Sequence, residues 1–154
     1  MISASRLQQL WGTWPLLAVL AAAGLGTTGY LTYSHYANQI TVCGGFGSCE
    51  FVQTSSYSKM AGVPVALMGL LFFIALESLV LFRLIRGPDE APWAQPVAFS
   101  MALGGLAFVS YLTYVELFVI DAICVWCVAT ACITTACFIV TLYETLSSLR
   151  SQEL

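Results

Sequence analysis

Four apolar stretches, each about 20 residues long and so long enough to cross a bilayer as a helix, dominate this chain. They cover residues 14–33, 63–84, 97–118 and 122–143. A chain of 154 residues with 59% hydrophobic and 8% charged residues cannot hide that surface in water, because a soluble domain of this size still exposes about a third of its unfolded-chain surface. Soluble domains carry about 25% charged residues. The expected fold is therefore all-α: one integral membrane domain over residues 1–154, built as a four-transmembrane-helix bundle. The net charge of −3 arises from few groups and excludes a basic nucleic-acid surface.

Ala21-Ala22-Ala23 in the first stretch resembles a signal-peptide cleavage site. The apolar run continues beyond it, and Arg6 is the only charge ahead of it, so the stretch is read as a retained span. The second span is expected to open with Pro64, which suits a first helical turn.

The connections differ in character. Residues 34–62 form a long loop rich in Gly and Ser, whereas Arg86-Gly87-Pro88-Asp89-Glu90 has the chemistry of a short turn. Only a few residues around Asp121 link spans 3 and 4. Arg6, Arg83, Arg86 and Arg150 fall on one side of a four-span arrangement and Lys59 on the other. The positive-inside rule then puts both termini in the cytoplasm and the long loop outside. Cys43, Cys49, Cys124 and Cys127 all fall on that outer, oxidising side.

Gly24-Leu25 and Tyr30-Leu31-Thr32-Tyr33 recur as Gly105-Leu106 and Tyr111-Leu112-Thr113-Tyr114, and the same offset carries Cys43 onto Cys124. Each half reads as span, cysteine pair, span, which is consistent with a parallel duplication.

Cys124-Val125-Trp126-Cys127 is expected to open span 4. Residues three apart on a helix are neighbours, so the pair can close or open a disulfide with little motion. A helix N-terminus favours the reactive thiolate. Asp121 is a candidate cap for this helix, with a charge that opposes the thiolate. Structural zinc would need four ligands; His35 is the only histidine, and the spacing of Cys43 and Cys49 is unusual for zinc. Redox chemistry is the leading reading, beside metal binding and inert packing. No metal ligand set is assigned.

Cys43 and Cys49 flank Gly44-Gly45-Phe46-Gly47-Ser48. Three glycines give a segment able to swing, so the pair could meet a soluble partner outside and Cys124 inside, as thiol exchange requires. Cys132 and Cys137 lie about 12 and 20 Å down the helix from Cys124 and are read as packing residues. Glu77, an acid within span 2, is either functional or directed toward Arg83.

Taken together, Cys43, Cys49-Glu50-Phe51-Val52-Gln53-Thr54-Ser55-Ser56-Tyr57, Gly62-Val63-Pro64 and Cys124-x-x-Cys127 resemble the vitamin K epoxide reductase family, in particular its bacterial homologues. The resemblance spans residues 24–143. It implies a bundle around a quinone, in a bacterial cytoplasmic membrane, with Cys124 and Cys127 as the active-site pair and Cys127 beside the quinone. It further implies that Cys49 exchanges with Cys124, and that Cys43 takes electrons from a partner. Ser55 matches the family's serine near the quinone. Val65 and Ala131 fall where vertebrate members carry Asn and Tyr against the vitamin K head group, which argues against epoxide reduction as the main activity. Many bacterial members carry a fused thioredoxin-like domain after the last span. Only about ten residues follow Tyr143 here, so the resemblance implies a separate thioredoxin-fold partner.

The expected function is that of a thiol:quinone oxidoreductase, with ubiquinone or a menaquinone-type molecule as acceptor, making disulfides for exported proteins. The rivals are a thiol-driven vitamin K quinone or epoxide reductase, and a non-enzymatic membrane subunit or metal-binding protein.

Overall fold

The computed structural model describes residues 12–45 and 47–153; Arg6 lies outside the described residues. Helix α1 spans Thr13–Tyr36. The next segment contains a short helix α2 at Cys49–Thr54, a 3-10 turn at Ser56–Ser58, and strands β1 at Lys59–Met60 and β2 at Val63–Pro64. Helix α3 spans Val65–Arg86, α4 spans Ala94–Val115, and α5 spans Val125–Glu153.

Four helices are long and apolar enough to cross a membrane. Their outer faces carry apolar side chains such as Val19, Leu71 and Ile139, all exposed. In water this would be one continuous sticky surface; against lipid it matches its solvent. Hydroxyls within the spans donate back to carbonyls of their own helix, as Thr32 does to Thr28 (2.7 Å) and Ser110 to Leu106 (2.7 Å). Such bonds satisfy donors where no water is available.

The helices alternate in direction. At one end, Thr13 Oγ1 donates to Glu144 (2.5 Å) and Trp14 Nε1 donates to the same carboxylate (3.2 Å). Gln95 there donates to Ser148 (3.0 Å). Arg83 lies 5.1 Å over the Trp14 ring and donates to the carbonyls of Pro88 and Ala91. Arg83 is thus engaged by a helix-linking turn, and the expected pairing with Glu77 is not formed. At the opposite end, Tyr30 stacks on Trp126 with ring centroids 4.7 Å apart. Between the two ends, Phe73, Leu76, Val80, Leu17 and Ala21 form the core. Phe73 lies so close to Gly24 that a Cβ there would sit 2.2 Å from its ring. Gly105 serves Phe72 in the same way, at 2.8 Å.

Several sequence expectations change. Residues 34–62 are not a bare loop, since they hold α2, the 3-10 turn and β1. Pro64 does not open a helical turn: it pairs with Lys59 in a two-stranded antiparallel ribbon, and the helix begins at Val65. The ribbon's turn is made by Ala61 and Gly62, both at positive φ. Helix α5 runs ten residues past its apolar stretch, because Glu144 and Ser148 tie that polar extension to α1 and α4. Cys137 packs in the core as expected, but Cys132 is exposed on the lipid-facing surface.

Candidate active site

Helix α4 does not end cleanly. It loosens into a π turn at Glu116–Ile120, and Asp121 then takes a left-handed conformation (φ 52°). The Ala122 N–H donates to the Glu116 carbonyl (3.1 Å), folding the chain back over the bundle. Asp121 therefore terminates one helix and does not cap the next.

The cap of α5 is Cys124 itself. Its carbonyl accepts the first helical bond, from the Val128 N–H (3.0 Å), and its sulfur accepts from the Cys127 N–H (3.4 Å). This is the geometry of an N-cap side chain, with sulfur in place of oxygen. Cys124 thus precedes the helix by one residue, whereas the sequence placed it in the first turn. Its thiol titrates below the ordinary range, chiefly because the Cys127 side chain hydrogen-bonds to it; backbone donors at Cys127 and Trp126 add to this. Burial and the nearby charge of Glu116 oppose the shift without cancelling it.

Cys43 and Cys49 are joined as a disulfide with Cα atoms 6.1 Å apart. The segment around them is anchored on both sides. Ahead of Cys43, the Val42 N–H donates to the Tyr30 hydroxyl (3.1 Å), and the Val42 carbonyl accepts from Trp126 Nε1 (2.9 Å). Ahead of Cys49, the Ser48 N–H donates to the Ile123 carbonyl (2.9 Å). Gly47, at φ 94°, approaches that carbonyl so closely that a Cβ would lie 2.5 Å from its oxygen. Gly47 thus serves docking onto the bundle, whereas Gly44 and Gly45 face open space. Cys49 (1% exposed) and Cys124 (0% exposed) are buried together with Val52 and Ala122.

Cys127 packs against that cluster and has a second face. It lines an apolar cavity of about 370 Å³ between the helices, within the size range of small-molecule sites. Ser55, Val65 and Ala131 line the same cavity, although they come from three separate parts of the chain. Cys124 does not line it. Ser55 Oγ donates to the Val52 carbonyl (2.7 Å), so its hydroxyl must rotate before it can serve a ligand. Val65 and Ala131 present only apolar surface.

Sequence reasoning missed Glu116. It is buried (6% exposed), it lines the cavity, and its carboxylate lies within hydrogen-bonding reach of the Cys127 thiol and the Cys124 backbone N–H. Its position inside an apolar stretch was the available signal, since acids within spans are functional candidates.

The fold gathers four cysteines at one end of the bundle: the Cys43–Cys49 disulfide packs in one cluster with Cys124, the cap of α5, and Cys127 there also lines an apolar chamber. The model described as Vitamin K epoxide reductase family matches residues 15–142 of the chain.

Proposed function

This chain belongs to the vitamin K epoxide reductase family, and from that premise we propose that it is a membrane thiol:quinone oxidoreductase working through two cysteine pairs. A separate thioredoxin-fold protein on the outer side gives up its dithiol to the Cys43–Cys49 disulfide. Cys49 then attacks the Cys124–Cys127 disulfide at Cys124, freeing Cys127, and Cys43 resolves the Cys49–Cys124 bridge by re-forming Cys43–Cys49. The resulting Cys124–Cys127 dithiol is reoxidised by a quinone, which leaves as quinol. The partner, once oxidised, forms disulfides in exported proteins. The protein sits in a bacterial cytoplasmic membrane with both termini inside.

One observation carries this reading: Cys124 is shut in with Cys49, while its neighbour Cys127 opens onto the apolar cavity. A lipid-soluble acceptor and a protein thiol therefore approach the same pair from opposite sides. Thiol exchange requires contact between attacking and attacked sulfur, and the clustering of the four cysteines supports such a relay. Arg83, Arg86 and Arg150 at the end opposite Lys59 support the orientation.

The test is quinone reduction by pre-reduced protein, with each of the four cysteines changed to Ala in turn. Loss of quinone reduction in Cys124→Ala and Cys127→Ala, but only of partner oxidation in Cys43→Ala and Cys49→Ala, is the expected pattern. A wild-type protein that cannot reduce any quinone would sink the proposal. Turnover of vitamin K epoxide in the same assay would favour the epoxide-reductase rival.

A further inference from the structure

We propose that Glu116 is a catalytic residue of this site: its carboxylate takes the proton from Cys127 Sγ and hands it to the quinone being reduced. The inference rests on the thiol:quinone chemistry proposed above.

The position of Glu116 is unusual in three respects. It begins the π turn, and π turns recur at functional sites. It is buried in a span, where an acid is costly unless it is hydrogen-bonded or used. It is the only carboxylate among the described residues that line the cavity, and the sulfur beside it is the one that faces the cavity. A purely structural acceptor would need only the Cys124 N–H.

The chemistry requires a base at this point. A thiol is a poor nucleophile and a thiolate a good one. The start of α5 can stabilise one thiolate, and Cys124 occupies that cap. Cys127 carries a single S–H proton within reach of both the Cys124 sulfur and the Glu116 carboxylate, and faces an apolar chamber. Glu116 is placed to remove that proton.

The S–S bond forms between Cys124 and Cys127, and two electrons pass to the quinone. One proton travels from Cys127 through Glu116 to a quinone oxygen. The second comes from solvent, replacing the one Cys124 released on becoming a thiolate. A disulfide and a quinol result, and the Glu116 carboxylate is restored.

Glu116→Gln keeps the size and the acceptor for the Cys124 N–H but removes the base. In pre-reduced protein, kcat for quinone reduction should fall about a hundredfold, the usual scale for a lost proton-transfer group, with KM for quinone unchanged. Glu116→Asp should recover part of the rate. Bridging of Cys49 to Cys124, trapped in a Cys127→Ala background, should be unaffected by the Gln change and reports the fold of the site. A Gln variant within about twofold of wild-type kcat overturns the role of Glu116 alone. A Gln variant that loses both bridging and kcat also overturns it, in favour of a positioning role. A wild type inactive toward quinone overturns the parent reading and this role with it.

Discussion

The Cys127 backbone N–H points at the Cys124 sulfur across 3.4 Å, so the first cysteine of the Cys-x-x-Cys caps the helix that holds the second. A charged sulfur at this place is stabilised by the helix end and by the Cys127 thiol.

That relationship predicts a titration. The Cys124 thiol lies below its ordinary range, with the Cys127 side-chain bond as the main cause. Thiolate absorbance near 240 nm in the reduced protein should therefore develop below about pH 8.5, the usual thiol value. Cys127→Ala should move it back up. Because the folded value is depressed, the thiolate contributes stability that is complete above the unfolded value and fades as pH falls through the folded one. Reduced wild-type protein should gain thermal stability across that window, and Cys124→Ala should not.

Cys127→Ala should also trap an exchange intermediate. Cys49 and Cys124 are buried in one cluster, and without Cys127 a bridge between them can be resolved only from the Cys43 side. Non-reducing proteolytic mapping should find Cys49–Cys124 as the main cross-link. Finding Cys124 bridged mainly to Cys43, or free under oxidising conditions, would reverse the proposed order.

Ser55→Ala should slow quinone reduction while leaving exchange between the pairs intact. The hydroxyl lines the cavity but donates to Val52 in this state. Turned toward a ligand carbonyl, its bond would be worth about 1–3 kcal/mol when lost from a buried pair, which is about 5- to 150-fold in rate. Unchanged kinetics would remove Ser55 from the site.

Gly24→Ala should destabilise the bundle. The added methyl would lie 2.2 Å from the Phe73 ring, deep in the core. Overpacking of this kind costs about 1–3 kcal/mol. Gly29→Ala meets only Leu70 at 3.9 Å and is the control. Equal melting temperatures for the two variants would contradict the packing described.

The sequence made the spans legible because an apolar run of that length has few other solutions, and their existence needed no knowledge of neighbours. Their ends were less legible. Pro64 looked like a helix opener, but Lys59 claims it for a ribbon. Glu144 looked like the end of a span, but contacts with Thr13 and Trp14 carry the helix on. The cysteine pairs stood out by spacing, and Ser55, Val65 and Ala131 by resemblance, since no local signal brings three distant positions to one cavity. Helix α2, six residues long, is too short to be announced by periodicity; helices of that length are held by packing rather than propensity. Glu116 offered one signal, an acid inside an apolar stretch, but nothing local showed that the π turn it begins would set it beside Cys127 and the Cys124 N–H.

The exposure of the four sulfurs has a consequence for leakage. Cys43 is half-buried, Cys49 and Cys124 are sealed, and Cys127 opens only toward the apolar interior. In the proposed chain, a small thiol outside the membrane meets a single contact point, and the two inner sulfurs are insulated from it by Val52 and Ala122. The Val42 bonds to Tyr30 and Trp126 hold the segment ahead of Cys43 against the bundle. Loosening them should do more than slow the relay: it should let low-molecular-weight thiols short-circuit it, draining the quinone pool without making a single disulfide in a protein.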